Sequence, residues 1–130
     1  MMPTAARLTS EIVRSGGIPT ADRAAMRALM AAAFRGFDPA CFERDLEDKP
    51  WAIVLRDAAG LIAGFSTLDL MTANIDGRVI RAVYSGDTII ATHHRAAAAL
   101  TRAFLRFLAV HTTIAADAAD WFWFYVCKGF

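Results

Sequence analysis

Apolar and polar residues alternate from Leu8 to Arg14, the two-residue period of a half-buried strand, and Ser15-Gly16-Gly17 stops the pattern. The period then lengthens. From Ala21 to about Phe34, the apolar positions Met26, Leu29, Met30, Ala33 and Phe34 recur at helical spacing, with Thr20 placed as the N-cap. Arg23 and Arg27 share the outward face, and Gly36 breaks the helix. Asp38-Pro39 then supplies a cap and a proline in the first helical position of a shorter helix. That helix reaches about Asp48, and Pro50 forbids its continuation.

Trp51 to Arg56 is a compact apolar strand, and Asp57-Ala58-Ala59-Gly60 connects it to a return strand from Leu61 to Met71. Asp76-Gly77 is the strongest hairpin signal in the chain. A long strand follows, Arg78 to Ile90, with Gly86 inside it marking a bulge or a close backbone approach. The next helix runs from Arg95 to about Val110, with Leu100, Phe104, Phe107 and Leu108 on one stripe and Arg95, Arg102 and Arg106 on another face. His111 to Ala115 is short and β-branched and reads as a strand. The aromatic run Trp121-Phe122-Trp123-Phe124-Tyr125 reads as a last helix capped by Asp117 or Asp120, with Lys128 in its final turn and Gly129 after it. A buried strand fits the run equally, because it is apolar on every side. The predicted order is β-α-α-β-β-β-α-β-α, an α+β domain around a mixed sheet.

At 130 residues the chain is a single domain over residues 1–130. Hydrophobic residues make up 56% and charged ones 21%, an apolar balance owed partly to alanine. A formal net charge of +1 removes any bulk electrostatic case for nucleic acid or an anionic membrane as partner. Cys41 and Cys127 share no metal-type or redox spacing and read as reduced thiols, which points to a cytoplasmic protein. The three histidines lack a carboxylate or thiolate at ligand spacing, so no metal is expected. Residues 1–17 carry Arg7, Glu11 and Arg14 and no apolar core of a secretory signal. The chain stops at Phe130, directly after its most aromatic stretch, which leads us to expect sequence beyond it. Left uncovered, that stretch would drive homodimerisation, strand exchange or aggregation.

Candidate chemistry gathers where the long strand meets the following helix. Thr88-Ile89-Ile90-Ala91 ends in Thr92-His93-His94, and Arg95 opens the helix with Ala96, Ala97 and Ala98 behind it. Such a junction sets unpaired backbone amides, the positive end of a helix dipole and a guanidinium around one point, a recipe for holding a phosphate or pyrophosphate. Arg95 is the leading partner, because its fork binds phosphate oxygens bidentately. His93 and His94 could add donors or be a surface pair.

This order and two local motifs resemble the GNAT superfamily of acyl-CoA-dependent N-acyltransferases. Ile90-Ala91-Thr92-His93-His94-Arg95 looks like the V-x-P-x-x-R approach to that family's pyrophosphate loop, with Thr92 where proline is usual. Phe124-Tyr125-Val126-Cys127-Lys128-Gly129-Phe130 is similar to the F-Y-x-x-x-G-F signature of the family's late helix. The resemblance covers most of the chain from about Leu8 and implies one or two further strands beyond Phe130. It departs at the R/Q-x-x-G-x-G/A loop, whose glycine places fall on Ala98 and Leu100. A leucine at the second place would obstruct close backbone approach.

The resemblance implies transfer of an acetyl or other acyl group from acyl-CoA to an amine, with acetyl-CoA as cosubstrate. Backbone groups of Thr88, Ile89 and Ile90 would pair with the pantetheine arm, and the His94–Ala98 stretch would hold the pyrophosphate. Tyr125 matches the family's general acid towards the departing thiolate. Asp87, or second Asp69, is nominated as the base that takes the amine proton, a role a water could also fill. Cys127 reads as a small buried hydrophobe. The rival reading is a non-catalytic GNAT-like binding or subunit-interaction module, or an inactive fragment.

Overall fold

The computed structural model describes residues 8–91, 97–115 and 119–125. Its elements are β1 (Thr9–Arg14), α1 (Thr20–Ala33), α2 (Pro39–Asp48), β2 (Trp51–Arg56), β3 (Ile62–Ile75), β4 (Arg78–Ile90), α3 (Ala97–Ala115) and β5 (Asp120–Tyr125). They form a five-stranded sheet in the order β1-β2-β3-β4-β5. Every neighbouring pair is antiparallel except β4 with β5, which run parallel. The parallel step falls where the geometry requires it, because α3 carries the chain over the sheet between those two strands.

Local chemistry explains the connections. Asp38 caps α2 by accepting a hydrogen bond from the Ala40 amide, with Pro39 in the first turn. The capping site of α1 falls on Pro19, one residue before the Thr20 the sequence suggests, and Pro19 supplies no side-chain hydrogen bond. In the β2–β3 turn the Asp57 carboxylate accepts from the Ala59 and Leu61 amides. Asp76 and Gly77 both take positive φ, 51° and 79°, the conformation of a two-residue turn that matches strand twist.

The sheet is covered on both faces. On one, α3 lays Ala99, Leu100, Ala103, Phe104 and Phe107 against Ile53, Leu55, Leu68 and Val83. On the other, α1 and α2 bring Met26, Met30, Phe42 and Leu46 onto Ala52 and Phe65. Arg56 joins β2 to two other elements, donating to Glu11 on β1 at 2.8 Å and to Asp22 on α1 at 2.7 Å. The hydrogen bonds it donates to those carboxylates, Asp22 first, hold its guanidinium still more firmly protonated than usual. No helix of the described residues is long and apolar enough to cross a membrane.

Two sequence expectations are corrected here. His111 to Ala115 is not a strand but the last turn of α3. The His111 ring bonds through Nδ1 to the Phe107 carbonyl and packs against Phe107 and Trp51, while the Thr112 hydroxyl donates back to the Leu108 carbonyl. Those local bonds let β-branched residues continue the helix. The aromatic run is not a helix but β5, the strand alternative. Its side chains alternate across the sheet. Trp121 packs with the α3 core, and Trp123 lies 4.7 Å from the Phe104 ring and donates its indole N–H to Ser85. Phe122 and Phe124 turn to the other face and stay about half exposed. Cys41 is exposed and free; Cys127, Lys128 and Gly129 lie outside the described residues.

Candidate functional site

The site candidates converge at the C-terminal half of β4. The β3–β4 register steps from Leu68↔Ser85 to Ser66↔Thr88, so two residues of β4, Gly86 and Asp87, stand opposite one of β3, Thr67. The extra residue forms a bulge at Gly86-Asp87. Gly86 is required there. A Cβ on it would lie 2.4 Å from the Thr67 hydroxyl, far inside van der Waals contact. The bulge is pinned from the side as well. Thr88 Oγ1 donates to the Gly86 carbonyl at 3.1 Å, so its one proton is committed. Buried Ser66 then donates to Thr88 Oγ1 at 2.8 Å.

Among the described residues, β4 runs past the end of β5. Their ladder runs from Ile80↔Asp120 to Ser85↔Tyr125, and Ser85 is the last residue of β4 paired on that side among the described residues. The pairing with β3 continues, through Ile90↔Gly64 to a bond from the Ala91 amide to the Ala63 carbonyl at 2.8 Å. In an antiparallel ladder the bonded residues alternate. Ala91 and Ile89 therefore bond to β3, and the N–H and C=O groups of Thr88 and Ile90 point to the opposite side. Close approach holds this arrangement, since a Cβ on Gly64 would lie 2.7 Å from the Ile89 carbonyl oxygen.

The edge leads to the N-terminus of α3. Among the described residues, the amides of its first turn, Ala97 to Leu100, have no acceptor within the helix. Ala98 is exposed. Leu100 is 9% exposed and packs in the core with Leu68 and Val83, so its side chain is committed to the sheet. The obstruction expected from a leucine at that place is a property of the residue type, and the core packing takes the isobutyl group away from solvent.

Of the nominated residues, Asp87, Thr88, Ile89 and Ile90 share this half of β4, and Ala97 and Ala98 open α3. Asp87 is partly exposed in the bulge, and Asp69 sits opposite Tyr84 on β3. The Tyr125 backbone closes β5 two residues short of the Asp87 level. The Tyr125 side chain lies outside the described residues, as do Thr92, His93, His94, Arg95 and Ala96. Among the described residues no group of three or more His, Cys, Asp and Glu side chains is arranged to hold a metal ion. Sequence reasoning passed over Ser66, Thr67 and Lys49, which surround the bulge from β3 and α2. Polar residues in a strand interior, Ser66-Thr67 between Phe65 and Leu68, were the available signal for the first two. Nothing in the sequence marked the third.

No protein-family model matches this chain, and no curated protein matches it in sequence. Solved structures do match in shape. The aminoglycoside N-acetyltransferase AAC(6')-Iy, solved in complex with CoA, superposes with a TM-score of 0.62 at 11% identity, over 98% of this chain and 82% of that one. A ribosomal-protein-alanine N-acetyltransferase from Brucella melitensis biovar Abortus 2308 gives 0.61 at 16% identity, over 94% and 82%. Glucosamine-6-phosphate N-acetyltransferase from Arabidopsis thaliana gives 0.58 at 16% identity, over 92% and 83%. The chain has the GNAT fold.

Proposed function

We propose that this chain transfers an acyl group, acetyl in the simplest case, from acyl-CoA to a primary amine. The observation that supports the reading is the stretch of β4 beyond Ser85, which among the described residues has no partner on its β5 side and precedes α3 in the chain. An extended arm can pair with the outward groups of Thr88 and Ile90 as an added strand would. The residue types fit CoA: an arm without charge meets a backbone edge, and a pyrophosphate meets helix amides. Arg95 and His94 would complete the pyrophosphate site with Ala96, Ala97 and Ala98.

Acyl-CoA supplies the acyl group activated as a thioester. The β4 edge would orient its carbonyl, and outward N–H groups there would stabilise the oxyanion as the amine attacks. Asp87 would take the proton released by the amine, directly or through water. Tyr125, at the end of β5, would protonate the departing sulfur. A positioned proton donor contributes about 10²–10⁴-fold to a rate. Tyr125→Phe should therefore cut kcat by about 10²-fold while leaving acetyl-CoA affinity within a few-fold. An unchanged kcat would remove Tyr125 from the mechanism.

A second reading, a subunit-interaction module of the same fold, is favoured by the exposed aromatics of β5. Folded protein that binds neither acetyl-CoA nor CoA would select it. Self-association through β5 is compatible with either reading, and cytoplasmic residence is proposed with both.

A further inference from the structure

The chain has two lysines against twelve arginines, and every ion pair among the described residues is made by an arginine. Lys49 stands apart from that pattern. It caps the C-terminus of α2, and its side chain reaches across to β4, where Nζ lies 5.3 Å from the centre of the Tyr84 ring. A Cβ on Gly86 would lie 3.5 Å from Lys49 Cε and 3.6 Å from the Tyr84 ring. The ammonium arm therefore lies across the bulge itself, with an aromatic ring against it. Lys49 is partly buried, and among the described residues no carboxylate stands within ion-pair distance of Nζ.

The surroundings carry both signs of charge. Asp87 occupies the same bulge, and Asp69 is the cross-strand partner of Tyr84. A simple cationic amine drawn to those carboxylates would be repelled by Lys49. An amine that also carries an anion would meet both, ammonium to the aspartates and anion to the lysine. A partly buried cation resting on an aromatic face attracts such an anion more strongly than a fully solvated surface lysine does.

We propose that Lys49 is a specificity residue that binds an anionic group on the acceptor, so that the acceptors are small amines bearing a carboxylate or a phosphate. The inference rests on the acyl-transfer reading for its meaning, but its test does not need turnover. Four probes separate the chemistry: glycine against glycinamide for carboxylate, and O-phosphoethanolamine against ethanolamine for phosphate. Binding of each to the full chain is followed by NMR through the amide signals of Gly86, Asp87 and Thr88, without CoA. At least one anionic probe should bind tenfold or more tightly than its neutral counterpart. Lys49→Gln should erase that preference, and Lys49→Arg should retain part of it. Equal affinity within both pairs, or a preference unchanged in Lys49→Gln, overturns the proposal. Turnover with acetyl-CoA is then measured on the same four probes. A binding preference in folded protein that binds neither acetyl-CoA nor CoA would leave the anion site standing and refute acyl transfer. Transfer that ignores the anion would do the reverse.

Discussion

Gly64 and Gly86 show how single residues set the geometry of the β4 edge. At Gly64 the obstacle to a side chain is backbone, the Ile89 carbonyl oxygen at 2.7 Å, which cannot move without opening the ladder. Gly64→Ala should therefore lose about 2–3 kcal/mol, read as a lower midpoint in urea with an unchanged slope. At Gly86 the obstacle is the Thr67 hydroxyl at 2.4 Å, a side-chain atom. Gly86→Ala should cost about 1–3 kcal/mol, and adding Thr67→Ala should recover part of that loss. Strict additivity of the two would refute the contact. The glycine at 86 was legible as a bulge from its place within a long strand. The partner that makes it necessary was not, because the β3–β4 register brings Thr67 to it from nineteen positions away in sequence (86 − 67).

At the scale of elements, Leu100 and Arg56 make the argument. Leu100 belongs to the first turn of α3 and to the core at once, so it fastens the start of the described helix to the sheet. Leu100→Ala should lower stability by about 2–4 kcal/mol, measured by thermal or urea unfolding. Arg56 ties β1, β2 and α1 together, with about a quarter of its side chain exposed. Its raised pKa stabilises the fold at every pH below the guanidinium's ordinary value and is lost only in strong alkali. Between pH 5 and 9 Arg56 itself should therefore add no pH dependence. Salt should act instead: Asp22→Asn should cost roughly 0.5–1 kcal/mol at low ionic strength and less in about 1 M salt. Strands and helices with a clear period were readable from the sequence, β2 and β4 to the residue. The return strand runs on to Ile75, past its expected end at Met71, and the failures of element type lie at residues 111–125. There helix and strand share the same apolar content, and packing of His111 on Trp51 and of Trp123 on Phe104 decides between them.

Across the whole molecule, a sheet covered on both faces ends in β5, whose Phe122 and Phe124 are 49% and 54% exposed. Among the described residues β5 is an edge strand, and exposed aromatics on an edge strand favour association. Sedimentation velocity should show concentration-dependent self-association that Phe122→Ser with Phe124→Ser reduces. A monomer at all concentrations would refute this. The fold was legible because its order of elements and hairpin signals survive in the sequence. The proposed site was legible only in part, since the pairing proposed for the backbone groups of Thr88 and Ile90 would leave no side-chain signature. The central claim is that the β4 edge and the start of α3 hold acyl-CoA, and calorimetric titration with acetyl-CoA tests it most directly. Binding should be saturable and weakened about 10- to 100-fold by Arg95→Ala, the loss of one charge-assisted contact of roughly 1.5–3 kcal/mol. Absence of heat with both acetyl-CoA and CoA, from protein shown to be folded, would contradict it.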